Sequence, residues 1–91
     1  AYEGLPTQKV ILRLTKNSET FLTKEYFHKS QKFYRDNDGY LLLEMFINNA
    51  SELFSLVSRF MVDIEIIEPI KWREKYIENL KNALLLHQKV E

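Results

Sequence analysis

Cysteine is absent from these 91 residues, and glycine, proline and histidine occur only twice each. Without cysteine there is no disulfide framework, no thiolate nucleophile and no Cys-ligated metal. The two glycines, Gly4 and Gly39, are too far apart to form a glycine-rich phosphate loop. The two histidines, His28 and His87, with scattered carboxylates, do not supply the three or four converging ligands of a metal site. None of Ser18, Ser30, Ser51, Ser55 and Ser58 has a histidine and carboxylate arranged to activate it. No apolar run approaches the roughly 18 residues of a membrane span, and no signal peptide is visible. The expectation is therefore a non-enzymatic chain with no cofactor, no metal and no membrane segment. The lack of cysteine fits a reducing cytoplasm.

What is present suits a small folded domain. Hydrophobic residues make up 45% and aromatics 13% of the chain, enough for one core. A chain of this length buries roughly 60–65% of the surface its unfolded form exposes. Formal charge is zero overall. Residues 70–91 hold five Lys or Arg against three Glu, and the remainder holds eight against ten acidic residues. Neither part has the basic field of a stand-alone nucleic-acid binder.

Residues 1–7, with Gly4 and Pro6 as breakers, read as a linker ending from an upstream domain. Residues 8–91 read as a single domain. The absence of Met at position 1 suggests a piece of something larger. From Gln8 to Thr15 the pattern alternates, Val10, Leu12 and Leu14 on one face and Lys9, Ile11 and Arg13 on the other, which predicts a strand. Asn17 and Ser18 are helix-cap candidates for a short helix reaching about Phe27. Lys29–Asp36 and Gly39–Ile47 predict a hairpin across Asp36-Asn37-Asp38-Gly39, residues that tolerate positive φ. That turn shares the start of a calcium loop but lacks its downstream spacing and final Glu.

Asn49-Ala50-Ser51-Glu52 predicts a capping box and a helix carrying Leu53, Phe54, Leu56, Val57 and Phe60. Val62, Ile64 and Ile66 alternate with Asp63 and Glu65 in a fourth strand. Pro69 then suits the first position of a long helix. Trp72, Arg73, Tyr76, Ile77, Leu80, Ala83, Leu84 and His87 share one face of it, while Leu85 and Leu86 fall off the stripe and call for a partner's cover.

The order β-α-β-β-α-β plus a terminal helix predicts an α+β, ferredoxin-like fold with a four-stranded antiparallel sheet, strands one and three central. Their outer face (Ile11, Arg13, Tyr40, Leu42, Glu44 and Phe46, with Arg13 and Glu44 as possible cross-strand neighbours) is apolar enough to need cover. With Trp72 and Tyr76 it forms the candidate interface, to a second copy or to another domain. Lys24, Lys29, Lys32, Tyr34 and Arg35 interleave bases with rings, a composition suited to single-stranded nucleic acid. The same stretch also reads as core aromatics, Phe27 and Phe33, with a solvated basic rim.

Four stretches together resemble the C-terminal extension, or WCX domain, of WYL-domain transcriptional regulators. Phe27-His28-Lys29-Ser30-Gln31 resembles that family's aromatic-His-Pro-Ser-Gln lead into the second strand, and Asp38-Gly39 its hairpin turn. Glu52-Leu53 matches its second helix. Ile64-Glu65-Ile66-Ile67-Glu68-Pro69, followed by Trp72-Arg73-Glu74, resembles its closing strand-to-helix segment. The resemblance runs from about Val10 to Leu84. Lys29 stands in place of the usual proline, Met61 in place of a turn glycine and Trp72 in place of leucine. What the resemblance implies is a regulatory and dimerisation domain of a bacterial regulator. WYL and winged-helix domains would lie upstream in the same chain, and DNA would be bound through the full-length protein. A nucleotide or single-stranded nucleic acid would be the effector whose binding is relayed. The competing expectations are a ligand-sensing domain of the same fold, which needs a pocket between sheet and helix, and a single-stranded nucleic-acid-binding module.

Overall fold

The computed structural model describes residues 6–89. Of the linker expected over residues 1–7, the first five residues lie outside the described residues. Pro6 and Thr7 are exposed and lead directly into the first strand. The elements are β1 (Gln8–Leu14), a 3-10 turn (Lys16–Ser18), α1 (Glu19–Leu22), β2 (Lys32–Arg35), β3 (Leu41–Ile47), α2 (Ala50–Ser58), β4 (Ile64–Glu68) and α3 (Ile70–Gln88). The sheet runs β2-β3-β1-β4 with every neighbouring pair antiparallel. This is the expected ferredoxin-like arrangement, with β1 and β3 central.

Register follows the period-two pattern. Leu12 lies opposite Leu43 on one side and Ile66 on the other, and Leu14 opposite Ile64. These side chains point to the same face and meet Leu22, Leu53 and Val57 in one buried cluster. Asp36 fixes the hairpin: its Oδ1 accepts from the backbone N–H groups of Asp38 and Tyr40, at 2.9 Å each. Gly39 then takes φ +87°, a conformation that side-chain-bearing residues rarely adopt. At the start of α2, Asn49 Oδ1 accepts from Glu52 N at 2.9 Å. The reciprocal bond of the expected box shifts by one residue, because Glu52 Oε1 accepts from Asn48 N at 3.4 Å and not from Asn49.

Several expected elements are shorter or displaced. The first helix stops at Leu22, well before Phe27. Ser18 does not cap it: its Oγ donates back to the Thr15 carbonyl at 2.9 Å. Val62 lies in an exposed turn, so β4 begins at Ile64. Pro69 precedes the first helical residue and is not itself in the helix; its carbonyl accepts from the N–H groups of Trp72 and Arg73. Arg13 and Glu44 are not opposite each other, since the register sets Ile11 against Glu44 and Arg13 against Leu42.

Candidate functional site

The five residues Phe27–Gln31 form a hydrogen-bonded knot that replaces the missing end of the first helix. Gln31 Oε1 accepts from Phe27 N at 2.6 Å and His28 N at 3.0 Å, and Gln31 Nε2 donates to the Glu25 carbonyl at 3.1 Å. Ser30 N donates to His28 Nδ1 at 3.1 Å. An N–H can only donate, so Nδ1 is unprotonated and the ring's proton sits on Nε2. The Ser30 hydroxyl therefore donates to Nδ1 at 2.7 Å while its oxygen accepts from Phe46 N at 2.9 Å. Phe46 lies beyond the last β2–β3 pair, Lys32 opposite Glu44, so Ser30 satisfies a ladder donor that β2 does not reach. The residues most distinctive in sequence here are holding a loop on a sheet.

The candidate interface residues divide between two places. On the outer sheet face, Ile11 is only 6% exposed. The register surrounds it with Arg13, Lys9, Glu44 and Glu68, whose long stems cover apolar surface while their heads stay in water. Lys9 and Glu44 pair at 3.6 Å. Arg13 and Lys16 both lie over the Tyr40 ring, at 5.3 and 5.1 Å from its centroid. Leu42 is half-buried, and Phe46, at 41% exposed, is the apolar side chain left most open. Trp72 and Tyr76 are elsewhere. With Leu80 they turn the first half of α3 onto the buried core, and Tyr76 stacks 5.2 Å from Phe54 of α2. Helix α3 thus lies beside α2 and β4 and leaves the outer face uncovered. The Tyr76 hydroxyl is buried with no hydrogen-bond partner among the described residues, and burial raises its pKa.

An open groove of about 530 Å³ runs between β4 and α3. Ile64, Ile66, Ile77, Leu80, Met61 and Val62 line its apolar part, and Arg13, Glu65 and Arg73 its polar wall. Glu65 bridges the two arginines. Its Oε1 accepts from Arg13 Nε at 3.1 Å and Nη2 at 2.8 Å, and its Oε2 from Arg73 Nη1 at 2.8 Å. Arg73 Nη1 also donates to the Ile66 carbonyl at 2.8 Å, fastening α3 to the β4 edge. Burial pushes the Glu65 carboxyl up, but the hydrogen bonds from Arg73 and Arg13 outweigh it and hold the group below the usual carboxylate range.

A carboxyl depressed in the folded state contributes stability above the unfolded value of about 4.3. It loses that contribution as pH falls through the folded value. The group is 40% exposed, so solvent screening limits the contribution to about 1 kcal/mol. In urea melts at neutral and acid pH, Glu65→Gln should lose less stability on acidification than the parent. Equal losses would deny the bridge that role.

The candidate nucleic-acid residues are spread over different surfaces. Lys32 and Tyr34 lie opposite Glu44 and Leu42, which places them on the outer face. Arg35 falls on the other face, where it holds Glu19 at 2.9 and 3.2 Å and the Gly39 carbonyl at 2.9 Å. Lys24 and Lys29 are exposed in the connections. Among the described residues, no three His, Asp or Glu side chains converge as a metal site, and no helix is long and apolar enough to cross a membrane.

The WCX domain family matches residues 6–84 of this chain. The chain belongs to the WCX domain family. The match contains the whole sheet, the Phe27–Gln31 knot, the groove and α3 as far as Leu84. A WCX domain is a regulatory C-terminal domain of WYL regulators in general. No curated protein matches the chain. Within this WCX domain, sequence reasoning missed the Arg13–Glu65–Arg73 bridge. Its only signal was the alternation that puts Arg13 and Glu65 on the same face of their strands.

Proposed function

We infer that this WCX domain is a non-enzymatic, self-associating module of a cytoplasmic bacterial WYL-type regulator. It relays effector binding in the upstream WYL domain to a winged-helix DNA reader of the same chain. Nucleotide or single-stranded nucleic-acid chemistry is the effector class that goes with this reading.

One observation carries the self-associating part. Every residue from Lys81 to Lys89 is exposed, although Leu84, Leu85 and Leu86 are among them. Three leucines held in water on a formed helix are surface in search of a partner. Sedimentation equilibrium on the chain tests this: the reading expects a concentration-dependent dimer, and a monomer throughout a dilution series would overturn it.

A second reading, direct contact with single-stranded nucleic acid, draws support from the exposed Lys24, Lys29 and Lys32 and the exposed rings of Tyr26 and Tyr34. The dispersal of the cations over different surfaces weighs against it. Titration of labelled single-stranded DNA at two salt concentrations should show no salt-dependent binding. A steep salt slope lost in Lys29→Ala and Lys32→Ala would reverse the order of the two readings.

A further inference from the structure

We propose that two copies of this chain pair through α3 in antiparallel fashion, with Ile77 of each against Leu80 of the other. This rests on the self-association argued above and says where the contact lies.

The first half of α3 turns Trp72, Tyr76 and one side of the half-buried Leu80 onto its own domain. A second apolar row runs beside that face. Ile70, Ile77 and Leu84 recur every seven residues and are 58%, 38% and 56% exposed. Three residues further on in each heptad come Arg73, Leu80 and His87. Ile70, Ile77 and Leu84 thus fill one of the two seam positions of a coiled-coil heptad with apolar residues, and Leu80 fills the other at the centre; Arg73 and His87 at its ends are polar. Ile70 to Leu84 spans about 21 Å at the helical rise. The row continues past Leu80, where contact with the chain's own core ends. The surface is therefore longer than the domain can cover by itself.

Charge selects a second copy as the occupant and fixes its direction. In antiparallel helices the first position of one heptad opposes the fourth of the partner, which sets Ile77 against Leu80 twice about a two-fold axis. The same register brings Glu74 of each helix beside Lys81 of the other. Both side chains are exposed, and neither makes an ion pair within the chain among the described residues. Parallel pairing would instead set Glu74 and Lys81 beside the partner positions of Pro69 and Tyr76, with no opposite charge. Antiparallel packing also places each helix's positive end by the other's negative end. A two-fold contact must be self-complementary, and this row is: it supplies its own apolar partners and its own counter-charges.

Sedimentation equilibrium on the chain and on Glu74→Lys, Lys81→Glu, the double variant and Leu84→Arg tests the pairing, with circular dichroism checking that each stays folded. Each single charge reversal should raise the dimer dissociation constant roughly tenfold at low salt, from two lost and two repulsive exposed contacts. The double variant restores opposite charges and should return the constant to near the parent value. Leu84→Arg should leave monomer only. A parent dimer unmoved by all four variants would overturn this pairing and leave the self-association reading standing. A parent that is monomeric throughout would overturn both.

Discussion

Replacing Gln31 by alanine should lower the folding free energy by about 3 kcal/mol. Its side-chain amide makes three hydrogen bonds to backbone groups, from Phe27 N and His28 N and to the Glu25 carbonyl. Phe27 is buried, so its N–H is left without an acceptor in the variant. The amide also closes the loop that delivers Ser30 to Phe46 N. Losing it loosens the attachment of β2's leading segment to β3. Urea denaturation measures the loss directly. A change below about 0.5 kcal/mol, the range of an ordinary surface substitution, would mean that the knot is incidental. The neutral Nε2–H form of His28 is a companion expectation, read from the ring nitrogen shifts in NMR spectra.

Leu43→Ala should cost about 3–4 kcal/mol, more than the knot. Leu43 is fully buried in a central strand, between Leu12 of β1 and Phe33 of β2. Truncation leaves a cavity that two paired strands cannot collapse into. The contrast with Leu84→Ala is the informative part. Leu84 is a leucine of the same size that is 56% exposed and stands outside the core cluster, so its removal should leave the stability of the monomer almost unchanged. Urea melts at a concentration below dimerisation compare the two. Similar losses at both positions would place Leu84 inside the folded unit and contradict its exposure.

The fold was legible where local chemistry and long-range pairing agree. Val10, Leu12 and Leu14 alternate in sequence and face the core in space. Asp36 and Asn49 are bonded to the backbone groups that their positions in a turn and a cap demand. The first helix was overextended because Leu22 and Tyr26 are spaced for a helix, while Gln31 captures the backbone at Phe27 and His28 and ends it early. Val62 fits the alternation of β4 but lies ahead of the Thr15–Asp63 contact at which pairing with β1 begins.

The candidate interface was half legible for a related reason. Side-chain pattern identifies apolar residues that need cover, but it does not say which are covered internally. Ile11 is sheltered by neighbouring stems, and Trp72 and Tyr76 by the domain's own core. Leu85 and Leu86 read as uncovered, and they are exposed. The Glu65 bridge joins residues on β1, β4 and α3, so its partners became visible only once the register was fixed.

We place the contact between copies on α3 and not on the outer sheet face. An isotope-filtered NMR experiment on an equimolar mixture of labelled and unlabelled chain tests it most directly, since it reports only contacts that cross from one copy to the other. Pairing through α3 predicts intermolecular contacts between the methyl groups of Ile77 and Leu80, with Leu84 against the Arg73 stem. Intermolecular contacts confined to Leu42 and Phe46 on the outer sheet face would contradict it.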